Sequence, residues 1–454
     1  MDEVKGADFF CDLVVVGGGI AGQALASGLV EFPGHVLVID SGPGRPEDNS
    51  VVVSKSSSPM DRVDSYRSFG IGGTSAIWGG NLVPFTNQEL HNGSWPINVE
   101  RIQGLIPRAL HFLGFGRMSD QIANRWKSEF LDVSPGQVTV QQFYRLARKE
   151  KKITPSSSTP NRNTKYIEGL RCKHVEQSSD GSFLLHLRNG SNEPFTLSAG
   201  CVVLSAGTFE SARILENSKM LNFQRDSLGK CFSPHVRGVV GVLSARGKPN
   251  LESTRVGDLI QQDYLHFAAE GKIGFSAWKV TFLELRNSLL ELRFLGANIP
   301  RIAWLFVYGA LRGYKTFMIN VDEDQTPLAS SQFRFLKSGV CEVEHRIGDH
   351  EMKSLQSMLQ KLPSVLEEDS RIYQFKKPRK NFLGKSHHLG GLRMAETQGG
   401  GVVDKNLEVF GVPGLFICST GVFPTFSSAN PTLLLVQLAL NLSDFLVHRK
   451  NRTT

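Results

Sequence analysis

The alternation of apolar and polar positions is most regular at the two ends of the chain. Near the start, Leu13, Val14, Val15 and Val16 form an unbroken apolar run. Such a run predicts a strand buried on both faces. A glycine-rich turn, residues 17–22, leads from it into a helical stretch that Pro33 and Gly34 break. Residues 35–39 then read as a second buried strand, ending in Asp40. Near the far end, residues 432–447 read as an apolar helix, with Asn430 as its cap and Pro431 at its first position. Between the ends the pattern is looser. Residues 315–321 and 339–346 read as strands, and residues 349–366 carry helical spacing at Met352, Leu355, Met358, Leu359, Leu362 and Leu366. Residues 41–59, rich in Ser, Pro and Gly, are expected to be loop, and residues 154–165 a polar linker. The apolar run 302–311 is too short to cross a bilayer. It reads either as a buried helix or as an interfacial patch.

The first strand, turn, helix and second strand form a complete βαβ unit. Gly17, Gly19 and Gly22 fit GxGxxG, and Asp40 follows the last of them by 18 positions. Each residue has a physical task in a dinucleotide site. Gly17 permits the tight turn, Gly19 lets the backbone approach a pyrophosphate, and Gly22 lets helix and strand pack closely. The helix N-terminus offers N–H groups and a positive dipole end to phosphate, and Asp40 can accept from a ribose. This unit does not distinguish FAD from NAD.

Composition narrows the class. At 454 residues the chain predicts two or three structural domains, and 21% charged residues argue against disorder. The net charge of +8 comes from dispersed basic residues without interleaved aromatics, so no nucleic-acid partner is expected. A weak attraction to anionic lipid or an anionic substrate fits better. Lys376, Lys377, Arg379 and Lys380 read as a solvated loop or as an entrance favouring anionic substrates. Cys11, Cys172, Cys201, Cys231, Cys341 and Cys418 have no metal-type spacing, so no metal site is expected. Buried free thiols suit a reducing compartment. Residues 1–8 are short and acidic rather than leader-like, and a cytoplasmic location is expected.

A second glycine loop, FGIGGTSAIWGGN at residues 69–81, sets Gly73, Thr74, Ser75 and Trp78 among further glycines. Its backbone N–H groups could line a flat polar ring or a phosphate. With VVLSAGTFESARIL at 202–215, LGKCFSPH at 228–235, HHLGGLRM at 387–394 and FSSAN at 426–430, the chain resembles the glucose–methanol–choline (GMC) family of FAD-dependent oxidoreductases. Five separated motifs occur in the family's order, while residues 241–380 match only in outline. The resemblance implies FAD as cofactor, Ala206 and Gly207 near it, and Val175 where a backbone contact to adenine falls. Ile77 stands where one sugar-oxidising branch has a histidine that tethers its flavin, so non-covalent FAD is expected. Ser419 stands where the family commonly has Asp.

The resemblance also implies the fold class, α/β and α+β overall. A Rossmann-like FAD-binding domain would be assembled from residues 1–85, 166–240 and 383–454. A substrate domain with an antiparallel sheet and helices would take residues 86–165 and 241–382. Alcohol oxidation requires a base for the hydroxyl proton, and neutral imidazole suits it. The family's base matches His387, with His388 one place away. Asn430 would hold the substrate oxygen, and the helix beginning at Thr432 would start at the flavin ring. The implied activity is oxidation of an alcohol group of a sugar, aminocyclitol or polyol, with oxygen or a quinone-like carrier as acceptor. Alternatives are a lipid-like or aryl alcohol, a flavin-containing lyase, a flavin monooxygenase, and a non-catalytic FAD-binding partner. Membrane contact, if any, would be peripheral.

Overall fold

The computed structural model describes residues 10–44, 51–56, 66–92, 94–132, 138–146, 152–153, 164–218, 220, 222–246, 253–256, 259–269, 276–284, 299–323, 327–366, 370–375, 382–427 and 429–452. The first apolar run becomes the strand Phe10–Val16, in which Val14 and Val15 are fully buried. It pairs in parallel with Val36–Asp40 on one side and with Pro194–Leu204 on the other. The helix Ile20–Gly28 is the crossover between the first two of these strands. Thr164–Glu168 extends the sheet in parallel beyond Val36–Asp40. The long strand Pro194–Leu204 has two further partners. Its second half pairs in parallel with Leu415–Ile417, and its first half pairs antiparallel with Phe183–Arg188. Arg171–Gln177 pairs with the latter and forms the sheet edge.

The C-terminal helix, Thr432–Asn451, packs on Ile20–Gly28 and buries Leu433, Val436 and Leu440. It runs past residue 447 because its last turn is held. His448, Arg449 and Lys450 suit the negative end of a helix. Arg449 meets Glu408 at 2.6 Å, and Lys450 meets Asp12 at 3.0 Å.

A second sheet is antiparallel throughout, in the order Arg371–Gln374, Ser233–Ala245, Lys315–Glu323, Ser276–Glu284, Leu259–Ala269, Val138–Leu146, Asn81–Leu82. Phe382–Leu389 also pairs with Ser233–Ala245. The divides expected at residues 240 and 383 therefore fall inside strands of this sheet. Helix Asp349–Lys361 covers it, with Leu355, Met358 and Leu359 against Val240, Leu243 and Ile319.

Val51–Ser56 corrects the loop expected over residues 41–59. Its three valines and the residues after them pair in parallel with Cys341–His345, a partner the local pattern cannot reveal. Of the expected linker, residues 154–163 lie outside the described residues, and Thr164 and Lys165 already belong to a strand. Lys376, Lys377, Arg379 and Lys380 also lie outside the described residues. The run 302–311 falls in the helix Ile299–Leu311 and has two characters. Ile302 is buried beside Val239, Val242 and Met318, while Trp304, Val307 and Leu311 are exposed. No helix among the described residues is long and apolar enough to cross a membrane.

His345 is fully buried, and burial lowers its pKa from 6.5 to about 4. Between those values the unfolded chain holds a proton that the folded chain rejects. Its effect on stability is therefore absent above about pH 6.5 and grows as the pH falls toward 4. The expected loss approaches about 1.4 kcal/mol per pH unit in that window. Urea midpoints at pH 7 and pH 5 should separate in the wild type and draw together in His345→Gln. An unchanged separation in the variant would remove His345 as the cause.

Candidate active site

A cavity of about 590 Å³ runs between the first sheet and the end of the second. Its size is in the range of small-ligand and cofactor sites. Three helices begin at its wall. Gly19 and Ile20 open Ile20–Gly28, Gly207 and Thr208 open Gly207–Asn217, and Pro431 and Thr432 open Thr432–Asn451. Three N-terminal dipole ends facing one space make a cradle for a negatively charged ligand.

The two glycine loops form one unit. Gly72 N–H donates to the Gly18 carbonyl at 2.8 Å, and Gly19 and Gly72 form a parallel bridge. A Cβ on Gly19 would meet no protein atom within 4 Å, so the backbone there opens onto space. A Cβ on Gly22 would stand 2.1 Å from the Gly17 carbonyl oxygen. Gly22 thus lies behind the wall, where helix and strand meet. Gly17 has φ +109° and packs against Ser205, whose hydroxyl donates to the Gly17 carbonyl at 2.7 Å.

Asp40 lies at the wall, nearly buried, and accepts from Gly18 N–H at 2.8 Å and Gly42 N–H at 3.0 Å. Burial raises its pKa despite these bonds. Gly73, Thr74, Ser75, Trp78, Ala206 and Gly207 also line the cavity. The Ser75 hydroxyl is committed to the protein, donating to the Gly72 carbonyl at 2.6 Å and accepting from Ile153 N–H at 2.9 Å. Gln23 reinforces that junction, donating to the carbonyls of Gly18 and Ile153 at 2.9 Å each. Sequence reading passed over Gln23, a buried polar side chain inside an apolar helix.

Val175 is not among the residues that line the cavity. Its side chain is fully buried, and its N–H donates to Ser218 Oγ at 2.9 Å. On that strand Arg171 and Cys172 reach the cavity instead. Asn430 is a correction. The cap position is Pro431, one residue beyond the Asn430 expected there. Asn430 lines the cavity.

His387 and His388 both line the cavity in different settings. His387 is skipped in the ladder: Pro234 pairs with His388 and His235 with Ser386. It adopts φ +64°, a left-handed conformation unusual for a non-glycine residue. A bulge of this kind re-aims a side chain. The His387 Nδ1 lies 2.8 Å from Nδ1 of His235, and His235 Nε2 meets the Ser427 carbonyl. Ser427 Oγ donates to buried Glu89 at 2.5 Å, which fixes the loop bearing that carbonyl. His388 instead packs beside Phe209 and Phe232, at centroid distances of 4.8 and 6.3 Å. Its carbonyl accepts from Thr208 at 2.6 Å and Thr420 at 2.7 Å. His235 was missed as a site residue, since only the folded ladder brings it to His387.

On the side of the second sheet, Arg237 and Asp322 line the cavity as a cross-strand pair 3.4 Å apart. Cys172 and Cys418 also line it, but burial pushes both thiols up to about 12, far from the thiolate form.

Residues 334–439 match the family model described as GMC oxidoreductase. A C-glycoside 3-oxidase of Arthrobacter globiformis is 46% identical over 55 residues, which is 12% of this chain and 11% of that protein. A C-glycoside 3-oxidase of Microbacterium trichothecenolyticum is 45% identical over 60 residues, 13% of this chain and 12% of that protein. The matches thus span only about a ninth of these curated relatives. Among solved structures, pyridoxine 4-oxidase from Mesorbium loti has a TM-score of 0.59 at 14% identity, covering 96% of this chain and 99% of that one. A formate oxidase has a TM-score of 0.61 at 14% identity, covering 98% and 99%. A further structure, TM-score 0.59 at 14% identity and covering 98% and 99%, concerns FAD modification in the Aspergillus oryzae RIB40 formate oxidase. At that identity the likeness is one of fold.

Fold and cavity define a mixed α/β protein with a glycine-rich cradle beside an antiparallel second sheet, the fold of these solved oxidases. Over residues 334–439 the chain is similar to the GMC oxidoreductases, a family whose members bind FAD.

Proposed function

We propose that this protein is an FAD-dependent oxidoreductase that oxidises an alcohol group of a sugar, aminocyclitol or polyol. The observation that carries the reading is the contact of His387 with His235. His235 Nε2 faces a carbonyl and must donate to it. In neutral His235 the other nitrogen, Nδ1, is then the acceptor. His387 therefore donates from its own Nδ1, which leaves the lone pair on Nε2. An imidazole held in that tautomer is a base for a hydroxyl proton.

The cavity walls fit the cofactor. The open backbone at Gly19 and the three helix starts suit a pyrophosphate, and Asp40 suits a ribose. Arg171 and Cys172, rather than Val175, would border the adenine. FAD, when bound, supplies the hydride acceptor. The protein's share is to hold the alcohol and take its proton. His387 Nε2 receives the proton, and the Asn430 amide holds the same oxygen. The positive end of Thr432–Asn451 stabilises negative charge gathering beside it. Arg237 and Asp322 present donors and acceptors to further hydroxyls, which favours a polyhydroxylated substrate over an aryl or lipid-like one. The cofactor is non-covalent in this reading, because Ile77 offers no nucleophile and the two cavity thiols are protonated. The acceptor that reoxidises the flavin is oxygen or a quinone-like carrier, and the exposed face of Ile299–Leu311 permits peripheral contact with a membrane.

Purified yellow protein mixed anaerobically with sugars, cyclitols and polyols should lose its flavin colour with at least one of them. Acid precipitation of the same sample should leave the colour in the supernatant. Bleaching by NADPH alone, with no response to any alcohol, would replace this reading with that of a monooxygenase.

A further inference from the structure

The outer face of the hairpin formed by Arg171–Gln177 and Phe183–Arg188 carries two imidazoles and a carboxylate that the active site does not use. His174 and His186 are direct cross-strand partners, and Glu176 lies two residues beyond His174 on the same face. The two rings stack at 4.1 Å with 14° between their planes. Glu176 reaches both: Oε1 is 3.7 Å from His174 Nε2, and Oε2 is 3.4 Å from His186 Nε2. All three candidate ligand atoms lie within 4.8 Å of one another. The His186 Nε2 atom is buried and makes no hydrogen bond.

We propose that His174, Glu176 and His186 form a binding site for a divalent transition-metal ion, best suited to zinc. Zinc–nitrogen and zinc–oxygen bonds of about 2.0–2.2 Å set neighbouring ligands of a tetrahedral centre about 3.4 Å apart. The two separations to Glu176 are close to that value, and the two stacked rings would tilt toward each other for both imidazole lone pairs to meet one ion. Two imidazoles with one carboxylate suit zinc, nickel or copper and exclude the all-oxygen preference of magnesium and calcium. Each of the three side chains is about one-third exposed, so an ion can enter and water can fill the fourth position. The site is structural. It would join the edge strand of the first sheet to its neighbour, and that edge strand sends Arg171 and Cys172 to the cavity. Sequence spacing did not reveal it, because the ligands gather across a hairpin.

The test uses the full-length flavin-loaded protein, stripped with EDTA and dialysed. Calorimetric titration with zinc chloride should give one site per chain, and magnesium chloride should give none. His186→Ala and Glu176→Gln should each weaken zinc binding at least about tenfold, the scale of losing one ligand or its orientation. Zinc should raise the melting temperature of the wild type and not that of His186→Ala. Flavin absorbance and circular dichroism verify that the variants are folded. If His186→Ala does not fold, Glu176→Gln and His174→Gln decide the matter by the same titration. Absence of zinc binding in the wild type, or affinity equal in the folded variants, would overturn the proposal.

Discussion

His387→Ala is expected to retain bound FAD and to slow flavin reduction by an alcohol substrate by about 10²-fold or more, the scale of losing a general base. The expectation rests on how the side chain is held. His387 takes a left-handed conformation outside the strand ladder, which costs about 1–3 kcal/mol. That cost is sustained by its contact to His235, by His235 against the Ser427 carbonyl, and by Ser427 on buried Glu89. Removing the imidazole leaves the glycine cradle untouched, so cofactor binding should persist. Anaerobic stopped-flow reads the reduction step directly. His388→Ala is the necessary companion, because His388 also lines the cavity. Its ring packs beside Phe209 and Phe232, so its loss should reduce stability more than rate. If His387→Ala reduced its flavin at the wild-type rate while His388→Ala did not, the base would be His388.

What the sequence disclosed follows the range over which each interaction acts. The strands Phe10–Val16 and Val36–Asp40 and the helix between them are specified within thirty or so residues by apolar runs, glycines and a terminal aspartate, and they were legible. The resemblance to a family carried the reading to Gly207 and His387, which local pattern alone would not have joined. The failures are of two kinds. Val51–Ser56 looked like loop because its partner Cys341–His345 is remote, and the strands Ser233–Ala245 and Phe382–Leu389 meet only in the fold. The cap expected at Asn430 and the surroundings of Val175 depend on local geometry finer than motif spacing. One helix begins a residue later than its Asn-Pro signal, and one backbone N–H is taken by Ser218. His235 belongs to the same lesson. It was visible within LGKCFSPH, but its role depends on a 2.8 Å contact with a residue 152 positions away.

Gly22→Val should yield protein that is destabilised and colourless, whereas Gly19→Val should yield stable protein that binds FAD weakly. The two glycines belong to one motif but face different surroundings. A side chain at Gly22 begins 2.1 Å from the Gly17 carbonyl oxygen and 2.8 Å from Ser205 Oγ. Neither the turn nor the buried Ser205 can yield without moving Ile20–Gly28 off its strand. Such overpacking costs about 1–3 kcal/mol or more. Because Gly17, Gly19 and Ile20 move with it, the cradle should open and FAD affinity fall about 100-fold or further, each tenfold being about 1.4 kcal/mol. Gly19 has φ −70°, which any residue adopts, and a Cβ there meets no protein atom within 4 Å. Its substitution should leave the melting temperature of the cofactor-free protein nearly unchanged. The added side chain would instead occupy the space assigned to the pyrophosphate, so FAD binding should weaken at least about tenfold. Differential scanning fluorimetry of cofactor-free protein and fluorescence titration with FAD separate the two effects. If Gly19→Val bound FAD as tightly as the wild type, the pyrophosphate could not lie against that turn, and the cradle would have to be placed elsewhere along the wall.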